Sequence, residues 1–360
     1  MKLLIVTQKV DKNDDVLGFM HGWISEFAKH CEKVTVIALG VGEYDLPRNV
    51  KVLSLGKNNL LLRGVKRSGT TWQSSNKSRK KYIFNFYKYI WQERKNYDNV
   101  FVHMNPEYVV LGSILWRFWG KRVGLWYTHK AVNLKLRIAE KMANLVFSAS
   151  SESFGLKSKK LHITGHGINL EQLKIKKDKI QNEIFKMILV GRIAPIKNQD
   201  ILIKSAVILK NKYLDFKFKI DLIGGADSYV QREYKVLLES LVKTNNLENE
   251  ISFVSPVANK EINAIYEKAN LSLNLCPTGG ADKVVLESMA CELPVIVFNK
   301  TFENILPEEL ILEKLEPELL AEKIYEISQK KNLNFGLRER VEKSHNLKKL
   351  IIKILNLYYA

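Results

Sequence analysis

The chain has only three cysteines in 360 residues, Cys31, Cys276 and Cys291, and none has a paired or metal-ligand spacing. That argues against a disulfide scaffold or a zinc site and places the protein in a reducing, cytoplasmic setting. No apolar run approaches the ~20 residues that a membrane-spanning helix needs. The opening MKLLIV holds one lysine and four aliphatics before Thr7. It is too short for a secretory signal and reads as a first strand. Two phosphate-binding fingerprints are also missing: no GxxxxGK[ST] occurs, and no GxGxxG follows a strand. Ordinary kinase and dinucleotide-binding readings therefore lack their motifs.

What is present is a globular composition, 46% hydrophobic and 26% charged, on a chain long enough for two cores. The net charge of +19 is unevenly placed. Residues 1–160 hold 28 Lys and Arg against 12 Asp and Glu, a net of +16, whereas residues 161–360 hold 29 against 26. The basic excess belongs to one half and points that half at an anionic surface.

Short aliphatic runs alternate with helix-period segments throughout. The first half has LLIV, VTVIAL, VFVHM, RVGLWY and NLVFSAS; the second has MILVG, FKIDLIG, ISFV, LSLNL and PVIVF. Segments such as MHGWISEFAKH lie between them, with apolar spacing suited to helices packed on a sheet. This alternation predicts an α/β fold of two Rossmann-like parallel-sheet domains. The expected limits are 1–172 and 173–345, joined through 174–185, with a basic amphipathic helix at 346–360. Ligands of open parallel sheets sit beyond the carboxyl ends of the strands, so the residues after each run are the candidates.

After MILVG come Arg192 and Lys197, in GRIAPIKNQ, ahead of a helix. A planar guanidinium and a point-charge ammonium beside helix-end amides suit a diphosphate. Ordinary loop cations would look the same. Further on, TGGADKVVLESMA places Gly279 and Gly280 before a helix that carries Glu287. Glu287 follows Lys283 by four residues, the spacing of a surface ion pair. The rest of VVLESMA is apolar or small, however, and a buried carboxylate needs a partner. A ribose diol would satisfy it.

Taken in order, GR-x4-K, FVSPV, INAIYEKAN and LCPTGGADKVVLESMACELPVI resemble the C-terminal half of family-four glycosyltransferases. Gly18, LWYTHK at 125–130 and GHGIN at 165–169 extend the likeness over nearly the whole chain. The resemblance implies the GT-B architecture, two Rossmann-like domains facing across a cleft. It also implies retaining, metal-independent glycosyl transfer from a nucleotide-diphosphate sugar, UDP or GDP being expected, with no other cofactor. Under it Arg192 and Lys197 bind the diphosphate and stabilise it as leaving group. Glu287 takes the ribose hydroxyls, and His129 sits at the donor sugar near the reacting centre. Gly18 lets the first loop approach the phosphates or the acceptor, and the backbone at Val257 and Ala258 meets the base. Eight residues before Glu287 the family carries a second glutamate, in an E-G-F-G-like turn; here that position is Gly279. The turn offers Asp282 and Lys283 instead, and Asp282 with the Gly279, Gly280 and Ala281 amides is expected at the sugar hydroxyls. No Asp-x-Asp pair occurs, in keeping with metal independence. His103 and His166 compete with His129 for its role.

Residues 57–97 hold eleven Lys and Arg, one acid (Glu93) and interleaved aromatics from Trp72 to Trp91. That composition suits anionic lipid headgroups, and equally a solvated helix whose aromatics pack on the sheet. The expected partners are the nucleotide sugar, a lipid-linked or envelope or capsular glycan acceptor, and an anionic membrane at its inner face. Nucleic acid is not expected. Another two-domain nucleotide-sugar enzyme, such as an epimerase, is the alternative, with a non-enzymatic basic binding module behind it. The last helix either returns to the first domain, as GT-B chains do, or packs on its own.

Overall fold

The computed structural model describes residues 1–57, 71–175, 183–277, 280, 282–330 and 335–359, with side chains of the helix at 71–92 from residue 79 onward. The chain forms two compact units. One is Met1–Gly167 with Ala258–Lys260 and Asn346–Ala360; the other is Ile168–Val257 with Glu261–His345.

The first unit is built on seven parallel strands: β1 (Lys2–Val10), β2 (Lys33–Val41), β3 (Val50–Ser54), β4 (Asn99–His103), β5 (Arg122–Trp126), β6 (Leu145–Ser148) and β7 (Leu161–Ile163). Their spatial order is β3-β2-β1-β4-β5-β6-β7. Ile5 pairs with Val36 on one side and Phe101 on the other, so β1 lies inside the sheet. Because helices cover both faces, successive residues of a strand are all buried, which is why these strands read as unbroken aliphatic runs. Leu3 and Ile5 point into one core, Leu4 and Val6 into the other. Helices α1 (Phe19–His30) and α11 (Leu347–Tyr359) fill the first core; α2 (Thr71–Gln92), α3 (Pro106–Phe118) and α4 (Leu134–Met142) fill the second.

The carboxyl-terminal helix α11 is fastened into this unit by its last turn. The buried Tyr358 hydroxyl donates to the Val100 carbonyl at 2.6 Å, and Arg122 donates to the Tyr358 carbonyl at 2.9 Å.

The second unit has five parallel strands, β8 (Phe185–Val190), β9 (Phe218–Ile223), β10 (Ile251–Val254), β11 (Leu271–Asn274) and β12 (Val295–Val297), in the order β10-β9-β8-β11-β12. Its helices are α5 (Gln199–Lys212), α6 (Tyr229–Thr244), α7 (Ile262–Lys268), α8 (Lys283–Ala290), α9 (Pro317–Gln329) and α10 (Leu337–Ser344). Arg338 at the start of α10 holds the segment that enters this unit, donating to the carbonyls of Leu170 and Leu173 at 2.9 and 2.7 Å. In each sheet the strand order reverses beside the first strand of the unit, and such a switch point opens a crevice at the carboxyl ends.

All ten aliphatic runs are strands. The sequence reading missed β3 and β7, the two edges of the first sheet. Edge strands bury less, so β3 is mostly half-buried and β7, three residues long, has no buried position; neither has an aliphatic run to find.

Replacing Tyr358 by Phe removes the hydroxyl and its hydrogen bond to the buried Val100 carbonyl. We expect a loss of about 1–3 kcal/mol, read as a lower urea midpoint for the first unit.

Candidate functional site

In the second unit the turns after β8, β9 and β11 meet at the carboxyl end of the sheet. Gly224 follows β9 with φ +155°, and a Cβ placed on it would lie 2.0 Å from the Gly191 carbonyl oxygen. Only glycine lets the two turns approach so closely. The turn after β8 is pinned along its length. Ile193 N–H donates to Gly225 O at 2.9 Å, Gln199 Nε2 to Arg192 O at 3.0 Å, and Asn198 Nδ2 to Leu275 O at 2.8 Å. Asn198 itself is left-handed, φ 53°, at the entry of α5, a conformation that asparagine tolerates better than most residues.

This frame sets the two cations. Arg192 projects exposed, while Lys197 is largely covered. Lys197 Nζ lies 2.7 Å from Asp282 Oδ2, and the same oxygen accepts from Asn274 Nδ2 at 2.9 Å. Asp282 thus joins the β8 turn to the end of β11. Asn274 was not singled out from the sequence, although an asparagine closing the otherwise apolar run LSLNL is a legible signal. It is 3% exposed.

Glu287 sits on α8 at 6% exposure. Its partners come from the protein: Tyr266 of α7 donates to Oε2 at 3.0 Å and Lys283 Nζ lies 3.1 Å from Oε1. The i,i+4 pair is therefore formed, but against a buried carboxylate rather than on a solvated face. Burial first, and then the Glu287 charge, hold the Tyr266 hydroxyl well above its ordinary titration range, so it remains a donor. The same two causes push the Cys291 thiol up to about 12, which leaves it unreactive. Each carboxylate oxygen accepts more than one hydrogen bond, so Glu287 keeps acceptor capacity beyond these partners.

Gly280 is described, its carbonyl accepting from Asn299 Nδ2 at 3.3 Å; Gly279 and Ala281 lie outside the described residues. Val257 follows β10 and packs on the core of the second unit. Ala258, next in the chain, groups with the first unit.

The remaining candidates belong to the first unit. His129 is exposed three residues after β5, and its Nδ1 accepts from the Ala131 N–H at 3.0 Å. The proton of its neutral ring therefore sits on Nε2. His103 is buried and stacked on Trp126 at 5.3 Å between centroids, and burial, with a smaller push from His166, takes it down to about 3. It stays neutral, which makes it a core residue rather than a rival for the role given to His129. Gly18 caps α1, where a Cβ would come within 2.4 Å of the Asp14 carbonyl oxygen. Its glycine character is thus required by its own loop. Asp14 also pairs with Lys9 at 2.5 Å and accepts from the Leu17 N–H at 2.6 Å, holding that loop.

Three expectations follow. Gly224→Ala forces the turns after β8 and β9 apart and should cost about 3 kcal/mol, seen as a lower melting temperature. Tyr266→Phe leaves a buried carboxylate short of one donor and should cost about 1–3 kcal/mol in urea denaturation. Lowering the pH should destabilise the first unit through His103. In the unfolded chain a histidine titrates near about 6.5. Between that pH and about 3 the unfolded chain binds a proton that the folded chain refuses, so stability falls as pH falls. His345 of the second unit, pushed down to about 4 by burial, acts in the same direction there. The fall should be shallower in His103→Phe.

Residues 184–330 match the family model described as glycosyl transferases group 1. A D-inositol 3-phosphate glycosyltransferase of Pseudarthrobacter chlorophenolicus is 23% identical over 173 residues, 44% of this chain and 40% of that protein. An alpha-monoglucosyldiacylglycerol synthase of Acholeplasma laidlawii is 31% identical over 129 residues, 35% of this chain and 30% of that protein. The matched stretches thus span less than half the length of these curated relatives. Among solved structures, Anabaena HepE in complex with UDP has a TM-score of 0.72 at 15% identity, over 99% of both chains. A sucrose-phosphate synthase of Thermosynechococcus elongatus has a TM-score of 0.73 at 16% identity, over 100% of this chain and 98% of that one. The chain has the GT-B fold, and its residues 184–330 are similar to the group 1 glycosyl transferases.

Proposed function

We propose that the protein is a retaining glycosyltransferase that moves a sugar from a nucleoside-diphosphate donor to a lipid-linked, envelope or capsular glycan without a metal ion. The observation that carries this reading is the grouping, in the unit that matches the transferase family, of Arg192, Lys197 and the buried Glu287 around the carboxyl end of one parallel sheet.

The chemistry follows from charge. Breaking the sugar–phosphate bond leaves negative charge on the diphosphate, and fixed cations stabilise it as it develops. Arg192 supplies a forked donor to two phosphate oxygens. Lys197 has three N–H donors; Asp282 takes one, which orients the ammonium and leaves two for phosphate. Glu287 accepts from the ribose hydroxyls with the capacity that Tyr266 and Lys283 leave. Asp282, with Gly280 and Lys283 beside it, faces the donor sugar, and the backbone at Val257 and Ala258 meets the base. From the first unit, His129 Nε2–H serves the donor sugar, Gly18 lies at the phosphates or acceptor, and the departing phosphate oxygen takes the acceptor's proton. UDP is the favoured nucleotide, in line with the UDP bound by HepE. Work at an inner membrane face suits the glucolipid product in the name of the Acholeplasma relative.

Calorimetric titration with UDP, GDP, ADP and CDP in the presence of a chelator tests the reading. One diphosphate should bind selectively, and Arg192→Ala should weaken it about 10- to 100-fold. Absence of binding by a folded protein, or binding indifferent to Arg192, would overturn it.

A further inference from the structure

One face of the first unit combines exposed apolar side chains with an excess of cations. Helices α2, α3 and α4 lie side by side over the same core. Tyr87 of α2 donates to the Leu111 carbonyl of α3 at 3.0 Å, and Arg117 of α3 to the Met142 carbonyl of α4 at 2.9 Å. On α2 the inward side carries Phe86 and Ile90, both fully buried. The outward stripe reads Lys80, Phe84, Lys88, Trp91, spaced by four, four and three residues, which is one helical face. All four are exposed, Phe84 at 69%. The neighbouring helices continue the surface with Ile114 at 71%, Phe118 at 84% and Leu134 at 72% exposed. Trp91 meets the edge of Trp119 at 5.6 Å, and the Arg94 guanidinium covers its ring at 4.7 Å, so the aromatics are held at the surface rather than folded inward.

The charge on these helices runs one way. Across α2, α3 and α4 the sequence has nine Lys and Arg against two acids. Both acids have partners: Glu107 pairs with Lys135 at 2.9 Å, and Glu140 accepts from Ser158 Oγ at 2.6 Å. Apolar side chains standing clear of a cationic helical surface fit a boundary that is anionic outside and apolar within. That is the profile of an acidic lipid leaflet: cations meet the headgroups, aromatics lodge at their level, and aliphatics reach the acyl region. A polyanion in water offers no place for Ile114, Phe118 and Leu134. No described helix is long and apolar enough to cross a membrane, so this surface would lie on the bilayer.

We infer that the outward face of α2, α3 and α4 docks on an anionic lipid bilayer, with Phe84, Trp91 and Phe118 as its apolar anchors and Lys80, Lys88 and Arg117 among its headgroup cations. The inference gives residues to the membrane side of the proposed function, and rests on that side alone. Its test uses no nucleotide, so the docking face and the donor site fail or stand separately.

The experiment is flotation of the purified full chain with phosphatidylcholine vesicles, with and without phosphatidylglycerol. Variants Phe84→Ser/Trp91→Ser and Lys80→Gln/Lys88→Gln run beside it, their folding checked by circular dichroism and by an unchanged urea midpoint. The chain should float with the phosphatidylglycerol vesicles and not with neutral ones. Binding should weaken about fivefold for each cation removed, and more than tenfold in the aromatic variant. Failure to float, flotation blind to lipid charge, or flotation unchanged in both variants overturns the assignment. Retention of the chain by a single-stranded oligonucleotide but not by vesicles would assign the face to nucleic acid and equally overturn it.

Discussion

The arrangement of the second unit turns on a carboxylate kept out of water. An isolated charge in a protein interior is so costly that it neutralises or unfolds the chain unless it is paired and hydrogen-bonded. Glu287 lies in a helix whose other side chains are apolar or small, and it meets this demand with one hydroxyl from α7 and one ammonium from its own helix. Replacement of such a group by a hydrophobic one is often neutral or stabilising, so stability alone is a weak reason for its presence. The glutamate is held firmly with acceptor capacity left over, and on the proposed reading that capacity serves a ligand with paired hydroxyls.

A second carboxylate organises the turn after β8. Asp282 takes up Lys197, 85 residues before it in sequence, and Asn274 on one oxygen and so ties the turn after β8 to the end of β11. The same turn is fixed from behind by Gly224, where two backbones approach too closely for any Cβ. Arg192 stands on this rigid frame with its side chain in solvent, and on the proposed reading its fixed charge meets the leaving diphosphate. The first unit is built on the same plan but puts its polar groups elsewhere. Its carboxyl-end histidine His103 is sealed among aromatics, and nine of its cations lie on α2, α3 and α4.

Much of this was legible because parallel sheets bury both faces of each strand, so that ten aliphatic runs stood out as strands without ambiguity. The ordered set from GRIAPIK to LPVI carried the family. What the sequence could not convey were contacts made by tertiary packing. Asp282 was expected among sugar hydroxyls, and its nearest cation turned out to be Lys197, a pairing no local spacing announces. Tyr266 stood inside the quoted segment INAIYEKAN, yet its role depends on α7 meeting α8. Gly18 was expected to let its loop approach a ligand; its close approach to Asp14 within that loop was not legible in the sequence. In the sequence His103 and His166 competed with His129, and burial sets His103 apart from it.

The most direct test of the account is whether Glu287 senses the ribose hydroxyls. UDP and 2′-deoxyuridine diphosphate would be titrated into the wild-type protein and into Glu287→Gln, with urea denaturation of both proteins alongside. The account predicts that the wild type prefers UDP by about tenfold, one charge-assisted hydrogen bond. It predicts also that the variant, still folded, loses most of that preference. An equal preference for UDP in both proteins, or a variant that binds UDP normally and only loses stability, would show that Glu287 serves the fold and not the donor.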